Sequence, residues 1–389
     1  MPDICLYFHV HQPTRLRHYT VFDIGKNDNY FDDERNLFYL ERIARKCYVP
    51  ANKVLLDSIN RFDGKFKFAF SITGTIIEQL EQFYPNVLES FRALVDTGCV
   101  ELFDETYYHS LSSLISEKEF NRQVKQHNKK FKNVFGVRPN VFRNTEALYS
   151  NDIAKAVEKM GYKAMVCEGL DHILDWRSPN FVYRAKDSNL RVLMRNYKLA
   201  DDIAFRFSSR DWAEWPLKAD KYASWLSAIQ GQCINLFMDY ETFGEHHWED
   251  TGIFNFLGSL PGEALKYPQL SFSTPSEIIS KHEPVDEIDI PYYSSWADVN
   301  RDLSAWLEND MQKHAFEEIK SLEQTMMKKK NSQQLANWRK LQTSDHFYYM
   351  CTKWFADGDV HKYFNHYNTP YDAYLNYMNV LTDFKSRLK

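Results

Sequence analysis

The sequence lacks paired cysteines, a long apolar run and an export signal. Its six cysteines are scattered and none belongs to a C-x-x-C pair, so buried thiols are a simpler interpretation than a disulfide framework. No apolar stretch approaches the ~18 residues that a membrane helix requires. The N-terminus has no basic segment and no small-residue cleavage site, and instead has the pattern of a buried strand. These absences predict reduced cysteines, no contact with a membrane and a cytoplasmic location.

Glycine and net charge are low as well. Lysine and arginine number 48 against 53 acidic residues, and the resulting net charge of −5 argues against a general nucleic-acid binder. Glycines number 13 and form no glycine-rich phosphate loop, which argues against an open nucleotide-binding sheet. Aromatic residues, in contrast, reach 16%, and rings with a polar handle suit the stacking of amphipathic ligands such as sugars.

Strand and helix patterns alternate through residues 1–280. Patterns typical of strands lie at 4–10, 65–71, 100–103, 140–143, 163–167, 190–195, 202–207 and 233–238, and the segment 65–71 is the one that alternates charged and aromatic residues. Ser116 and Glu119 form a capping-box pattern ahead of a helix that reaches Phe135. Roughly seven strand–helix units predict an α/β fold in which parallel strands close into a barrel. An open doubly wound sheet is the alternative.

The composition changes near residue 298, where strand patterns stop. Helical patterns cover 302–327, 334–341 and 359–389, and the last of these is rich in tyrosine and phenylalanine. We therefore predict two parts, a barrel over 1–297 and a C-terminal helical region over 298–389. The helical region should pack on the barrel, because its aromatic side chains need cover from water.

Polar side chains follow four of the predicted strands, and catalytic groups of such barrels sit at the carboxyl ends of strands. His9 and His11 lie two residues apart at the end of the first strand and should face the same side. They could bind a metal, donate hydrogen bonds to a substrate, or be ordinary satisfied histidines. His109 ends a polar segment after the third strand, which could face the same opening or form a solvated loop.

The other two clusters contain carboxylates. Arg143 precedes Glu146 by three residues, and a nearby positive charge would hold that carboxylate ionised, as a nucleophile must be. An acid favoured at a helix start is the alternative. Asp239 and Glu241 follow the very apolar strand at 233–238, where burial would raise a carboxyl pKa toward that of a general acid. The pattern alone does not choose between those two acids.

Two carboxylates on separate strands, one ionised and one protonated, are what glycoside hydrolysis requires. The motifs in their order along the chain resemble those of glycoside hydrolase family 57, which contains α-amylases and 4-α-glucanotransferases, and the resemblance is closest to the α-amylase-like branch. The resembling segments are His11-Gln12-Pro13, residues 101–109, Phe142-Arg143-Asn144-Thr145-Glu146, residues 237–246, residues 296–306 and residues 341–346.

The resemblance implies an incomplete (β/α)7 barrel followed by a helical region that closes the cleft. It also implies retaining cleavage of α-1,4-glucans, an α-glucan or maltooligosaccharide as the ligand, and no required metal or other cofactor. By position, Glu146 matches the nucleophile and Asp239 the general acid/base. The predicted substrate-binding residues are His9, His11, His109, Arg143, Glu241, Trp248, Trp306, Asp345 and His346. We expect no appended β-sandwich, so transferase or branching activity with large accessory domains is less favoured.

Two other functions remain open at this stage. One is a metal-dependent polysaccharide deacetylase or hydrolase, whose ligand set would come from His9, His11, Asp104, His109, Asp239 and His246. The other is a glucan-binding protein without catalysis on the same fold. The presence of both carboxylates argues against the second alternative. The sequence gives no indication of oligomeric state, of the preferred chain length, or of the balance between hydrolysis and transglycosylation.

Overall fold

The structure is a computed structural model that describes residues 1–328, 331–353 and 365–388. Its strands are β1 (Asp3–Val10), β2 (Phe68–Ile72), β3 (Val100–Phe103), β4 (Val141–Arg143), β5 (Ala164–Glu168), β6 (Val182–Ala185), β7 (Arg191–Arg195), β8 (Cys233–Asp239), β9 (Ser271–Phe272) and β10 (Asp286–Ile288). Parallel pairing joins β3, β2, β1 and β8 in one sheet, and β7, β5 and β4 in another.

Two seams join these sheets into a barrel. At the first, the backbone of Asp104 bonds to β4, donating to Val141 O at 3.0 Å and accepting from Arg143 N at 2.9 Å. At the second, Asn196 N donates to Asn235 O at 2.9 Å and the Asn235 side chain donates to Met194 O at 2.8 Å. The barrel therefore runs β1, β2, β3, β4, β5, β7, β8 and back to β1. The antiparallel strand β6 and its neighbour β10 widen the sheet beside β7. The incomplete (β/α)7 barrel that the sequence predicts is thereby confirmed.

Helices surround the barrel, and they are the regular elements that the structure describes after residue 303. They are α1 (Asp33–Ile43), α2 (Val49–Arg61), α3 (Gly74–Phe83), α4 (Pro85–Asp96), α5 (Ser112–Ile115), α6 (Glu117–Phe135), α7 (Asn151–Lys159), α8 (Asp171–Leu174), α9 (Tyr197–Ala204), α10 (Ala219–Ser227), α11 (Ile253–Ala264), α12 (Pro275–Lys281), α13 (Ser304–Leu307), α14 (Asp310–Ser321), α15 (Glu323–Lys328), α16 (Ser332–Lys340), α17 (Ser344–Tyr348) and α18 (Pro370–Ser386). No helix of the described ranges is both long and apolar enough to cross a membrane.

The alternation of side chains along each strand decides what faces the barrel interior. On β1, Cys5 and Tyr7 belong to the interior apolar cluster, so His9 faces inward at the carboxyl end. On β8, Cys233 and Phe237 belong to the same cluster, and the period of two brings Asp239 to the same opening. The apolar floor below the opening thus positions a ring of polar groups above it.

The C-terminal helices share an apolar core with one half of the barrel. Trp338 and Phe347 belong to the same buried cluster as Phe142 of β4 and Met165 of β5. The helical region is therefore packed against the barrel. The division of the chain at residue 297 stays a prediction. All six cysteines are free and buried, as expected.

Some predicted elements are wrong in detail. The predicted strand at 202–207 is instead the end of α9 and a turn, because Asn196 caps the helix by accepting a hydrogen bond from Leu199 N at 3.2 Å. Ser116 does cap α6, but the Glu119 side chain pairs with Arg339 and does not complete the capping box. The predicted helix at 302–327 is divided into α13, α14 and α15. Residues 359–364 of the predicted tail helix lie outside the described residues.

Candidate active site

A cavity of about 910 Å³ opens at the carboxyl ends of the barrel strands. Barrel loops and the C-terminal region both contribute to its wall, so the helical region forms part of the cleft. Among the sequence-predicted residues, those that line the cavity are His9, His11, His109, Glu146, Asp239, Glu241, His246, Trp306 and Asp345. Side chains as far apart in the chain as His9 and Asp345, which are separated by 336 positions, therefore surround one cavity.

Glu146 sits on a short 3-10 turn, Thr145–Ala147, directly after β4. Its backbone is left-handed, with φ 55° and ψ 26°, and Ala147 follows at φ 50°. Non-glycine residues are strained in this region by ~1–3 kcal/mol and keep it only where the surroundings fix them. Asn144 fixes this turn, because its side chain accepts from Thr145 N at 3.0 Å and donates to Leu148 O at 3.2 Å. The turn holds the Glu146 carboxylate at the wall of the cavity.

Three donors from three parts of the chain contact the Glu146 carboxylate. His109 Nε2 lies 3.0 Å from Oε1, Ser344 Oγ donates to Oε1 at 2.8 Å, and Trp296 Nε1 donates to Oε2 at 3.2 Å. Burial by itself would raise the pKa of Glu146, but the charge and hydrogen bond of His109, together with Arg143, outweigh burial and lower it. The carboxylate is therefore ionised and oriented.

His109 lies between two carboxylates. Its Nδ1 is 3.3 Å from Glu105 Oε2, and its Nε2 faces Glu146. Burial would lower its pKa, yet the two acids raise the pKa of His109 to about 9. A protonated imidazole donates from both nitrogens, which is what this position requires. The backbone of His109 is also left-handed, with φ 48°. His109 and Glu146, which are hydrogen-bonded to each other, therefore both have a backbone conformation that is unusual for a non-glycine residue.

Asp239 has the opposite electrostatic setting. It ends the apolar strand β8, and burial raises its pKa to about 6 with help from the negative charge of Glu146, against the lowering effect of Arg143. Its near neighbour Glu241 is buried, and Tyr48 donates to its Oε1 at 2.7 Å. Burial and the charge of Asp239 raise the pKa of Glu241 to about 8. Near neutral pH, Glu241 is mainly protonated, whereas both protonation states of Asp239 are populated.

The first-strand histidines connect the barrel to the helical region. His11 bonds with Nδ1 to Thr73 Oγ1 at 2.9 Å and with Nε2 to Asp345 Oδ2 at 3.0 Å. His9 Nδ1 lies 2.8 Å from Ser71 Oγ. Burial lowers the pKa of both histidines. The negative charge of Asp345 opposes this effect on His11. The contact between His11 and Asp345 holds α17 over the barrel mouth.

Arg143 is fully buried beneath the cavity wall. Its guanidinium lies 4.5 Å from the centre of the Trp296 ring and 3.4 Å from His9 Nε2. It is not one of the described side chains that line the cavity. Its charge acts on both Glu146 and Asp239, lowering the pKa of each. Arg143 is therefore placed to influence the cavity electrostatically rather than by direct contact.

Two predicted binding residues lie elsewhere. Trp248 is largely exposed in a separate surface depression, with Lys46 Nζ 5.0 Å from its ring centre. His346 is buried beside Tyr377, with ring centres 5.8 Å apart, and burial lowers its pKa to about 4. Neither belongs to the described lining of the cavity. Trp306 does line the cavity, although almost all of its surface is buried.

Sequence reasoning missed Trp296 and Ser344 as contacts of Glu146. Trp296 lies on a loop that Arg301 anchors by an ion pair with buried Glu168, with Nη1 and Oε1 3.1 Å apart. Trp296 lies in one of the resembling segments and Ser344 directly precedes Asp345, so proximity to motif residues was the available signal. Nothing in the local pattern indicated that either side chain reaches a carboxylate about 150 or 200 positions away.

The ligand set of the metal-dependent alternative does not assemble as proposed. The Asp104 carboxylate faces away from the histidines of the opening and bonds to His127 Nδ1 at 2.5 Å, to Asn128 at 3.0 Å and to Tyr162. Two other trios of His9, Glu105 and His109, and of His11, His109 and Asp345, have donor atoms within 4.8 Å of one another. His109 is common to both trios, and both its ring nitrogens already face carboxylates.

Comparison with known proteins identifies the family. The sequence profile of glycosyl hydrolase family 57 matches residues 5–291, which is most of the chain. The chain belongs to glycosyl hydrolase family 57. It is a glycoside hydrolase.

The relatives of this glycoside hydrolase agree with that assignment. A Methanocaldococcus jannaschii protein named "Putative alpha-amylase" is 45% identical over 402 aligned residues, covering 99% of this chain and 85% of that protein. The structure of a branching enzyme from Thermococcus kodakaraensis aligns with a TM-score of 0.67 at 15% identity, covering 90% and 86% of the two chains. The 4-alpha-glucanotransferase of Thermococcus litoralis gives a TM-score of 0.65 at 16% identity, with 89% of this chain matching 56% of that chain. These structural similarities support the barrel fold.

Proposed function

We propose that this enzyme cleaves α-1,4-glucans with retention of anomeric configuration, using Glu146 as nucleophile and Asp239 as general acid/base. One observation carries the proposal. Two half-buried carboxyl groups line the same cavity with opposite tendencies: the charges of His109 and Arg143 lower the pKa of Glu146, whereas burial at the end of β8 raises the pKa of Asp239 to about 6. This pairing is what a double displacement needs. The activities named for the relatives, an alpha-amylase and a 4-alpha-glucanotransferase, support an α-glucan or maltooligosaccharide substrate.

The reaction proceeds in two steps. A Glu146 oxygen attacks the anomeric carbon and forms a glycosyl ester while Asp239 gives its proton to the leaving glycosidic oxygen. Asp239, now a carboxylate, then removes a proton from water, whose oxygen attacks the anomeric carbon and releases Glu146. A sugar hydroxyl that replaces water gives transglycosylation by the same route. The microscopic roles of Asp239 alternate, and a pKa near 6 suits both.

Binding residues surround this chemistry. We assign hydrogen bonding to sugar hydroxyls to His11, Asp345 and Glu241, which line the cavity, and apolar contact to Trp306. Trp248 lies in the separate depression, so any role in substrate binding would be to hold a part of the glucan that is distant from the cavity. Trp296 is added to the predicted set, since its ring lines the cavity beside Glu146.

The proposal is tested on a defined series of maltooligosaccharides. The wild-type protein should yield new chain lengths, and NMR of the first product should show the α-anomer before mutarotation. Glu146→Gln should lose cleavage by several orders of magnitude while its circular dichroism and unfolding temperature remain close to wild type. Products longer than the input would report transfer in addition to hydrolysis.

Each alternative predicts a different result in the same assay. Binding of the oligosaccharides with no product from wild type would favour a glucan-binding protein without catalysis. Loss of activity on exhaustive chelation, restored by a divalent metal, would favour the metal-dependent hydrolase. Near wild-type turnover of Glu146→Gln would remove that residue from the nucleophile's role.

A further inference from the structure

Glu105 is a buried acid that the two-step reaction does not use. It follows β3 by two residues and its side chain has no exposed surface. It is not among the described residues that line the cavity, so it does not touch the substrate space. Burying an ionised carboxylate reduces the stability of the fold unless the charge is paired, so the groups around Glu105 must compensate for its burial.

Two cationic side chains, His109 and Arg143, and the neutral ring of His9 surround the Glu105 carboxylate. Its Oε2 is 3.3 Å from His109 Nδ1 and 3.9 Å from Arg143 Nη1, and its Oε1 is 3.8 Å from His9 Nδ1. Oε1 accepts no hydrogen bond from a described residue. Burial would raise the pKa of Glu105, but His109, Arg143 and His127 outweigh it and keep the pKa low. Glu105 is therefore ionised, and His109 is the one of these groups that reaches it with a hydrogen bond.

The proposed reaction creates a difficulty that this acid solves. When Glu146 is esterified by the sugar, it loses the negative charge that His109 faces through Nε2. A buried imidazolium left without a counter-ion would release its proton, because burial favours the neutral ring. The proton would then have to return before Glu146 could leave as a carboxylate in the second step. A second carboxylate on the other ring nitrogen removes this requirement.

We propose that Glu105 is a positioning residue that serves as the permanent counter-ion of the His109 imidazolium, keeping it protonated while Glu146 is esterified. The inference rests on the proposed function, since it assigns a task within the covalent intermediate. It makes His109 a fixed cationic donor to Glu146 rather than a group that exchanges protons during turnover. Arg143 is too distant from Glu105 for a hydrogen bond and cannot replace His109 as its close partner.

Other groups also face His109 and enter the balance. The rings of His9 and His11 lie 4.8 and 4.1 Å from it, and neither is favoured in its charged form because burial lowers the pKa of both. The titratable groups that interact electrostatically with the His109 ring are Glu105, Glu146, Asp239, Asp345, His9 and His11. Of the acids among them, Glu105 and Glu146 are the ones bonded to His109 in the described structure.

The test measures the protonation of His109 directly, by NMR of enzyme labelled in its histidine rings, with the His109 signal assigned from its loss in His109→Gln. Glu146→Gln replaces the charged acid by a neutral group of the same shape and so imitates the esterified state. In this variant, His109 should remain protonated at pH 7. In the double variant Glu105→Gln/Glu146→Gln its proton affinity should fall at least tenfold further, which is one pKa unit. Loss of the His109 proton at pH 7 in Glu146→Gln alone would overturn the proposal.

A matched control variant separates the effect of Glu105 on the His109 pKa from a general loss of stability. Glu119 is another fully buried glutamate with one cationic partner, Arg339, whose Nε lies 2.6 Å from Oε1, and it has no described contact with His109. Glu119→Gln loses a buried ion pair of the same kind and should leave the His109 titration unchanged. An equal shift in Glu119→Gln and Glu105→Gln would overturn a specific role for Glu105.

Turnover gives an independent reading. Relative to Glu119→Gln, the kcat of Glu105→Gln should decline by about tenfold between pH 5.5 and pH 8, while KM changes little, because the loss arises as His109 deprotonates after binding. A parallel pH profile of the two variants would contradict this. The outcomes are distinguishable from failure of the proposed function, which would appear as retained cleavage by Glu146→Gln whatever the state of His109.

Discussion

The two sides of the cavity treat the same chemical group in opposite ways. On the β4 side, Glu146 meets a cationic imidazole, an indole N–H and a hydroxyl, and its pKa is lowered. On the β8 side, Asp239 ends a strand of buried apolar residues and its pKa is raised to about 6. The comparison teaches that the identity of a carboxyl group does not fix its role. Hydrogen-bond donors and positive charges around a carboxyl group favour its ionised form, whereas burial favours its neutral form. The balance of the two effects decides whether the group is ionised.

The largest expected effect on turnover comes from replacing Asp239 on the β8 side of the cavity. Asp239→Asn should lower kcat on maltooligosaccharides by about 10²–10⁴-fold, because an amide cannot deliver a proton. A maltosyl fluoride substrate, whose leaving group needs no proton, should recover most of the first-step loss, whereas Glu146→Gln should lose cleavage of both substrates. Equal losses on both substrates in Asp239→Asn would show that the two sides do not have the different roles proposed.

A smaller effect is expected from removing single donors on the β4 side. Trp296→Phe keeps an aromatic ring but lacks the N–H that reaches Glu146 Oε2, and Ser344→Ala removes one of the two donors on Oε1. Hydrogen bonds to charged groups are worth ~1.5–3 kcal/mol, so each variant should lose about tenfold or more in kcat/KM. The loss should be larger in Trp296→Phe, since Oε1 retains His109. An unchanged kcat/KM in both variants would contradict the importance of these donors.

Arg143 connects the two sides, because its charge lowers the pKa of both acids. In Arg143→Gln both pKa values should rise. Glu146 would then need a higher pH to ionise, and Asp239 would keep its proton to a higher pH, so both limbs of the kcat/KM profile should move to alkaline pH. Arg143→Lys, which retains the charge, is the control and should keep limbs near those of wild type. A shift of one limb alone would show that Arg143 acts on one acid only.

The smallest expected effect is on the free energy of unfolding, and it comes from Glu241 on the β8 side of the cavity. The pKa of Glu241 is raised from 4.5 to about 8 by burial and by Asp239, so folding takes up a proton between these values. The contribution of this group is favourable below pH 4.5 and is lost as the pH rises toward about 8. Glu241→Gln, which imitates the neutral form, should gain stability over wild type as the pH increases across this window. Urea unfolding at pH 5 and pH 8 checks this, and a difference that stays constant with pH would contradict it.

Much of the barrel could be predicted from the sequence because its strands are short apolar runs that end in polar residues. β1, β3 and β8 lie within one residue of the predicted bounds, and the rule that carboxyl ends share one face brought His9, Glu146 and Asp239 to one opening. Strand β6 escaped prediction because it is short and pairs antiparallel to β7, outside the repeated strand–helix pattern. The segment at 202–207 was misread because a helix cap at Asn196 overrides its apolar content.

The contacts around Glu146 were predictable only in part. Arg143 and His109 follow or end strands, so the strand rule indicated them. Trp296 and Ser344 come from the region beyond the parallel strands, where packing against the barrel, rather than local spacing, determines which side chain reaches the cavity. Glu105 was hidden for a different reason: its neighbours in sequence suggest a solvated loop, while the fold buries it completely.

The hydroxyl of Ser344 has a consequence for the order in which this protein is made. Ser344 follows Glu146 by 198 positions, so synthesis adds this donor to the carboxylate long after the glutamate itself. A growing chain thus holds an unfinished catalyst until its last helices leave the exit tunnel.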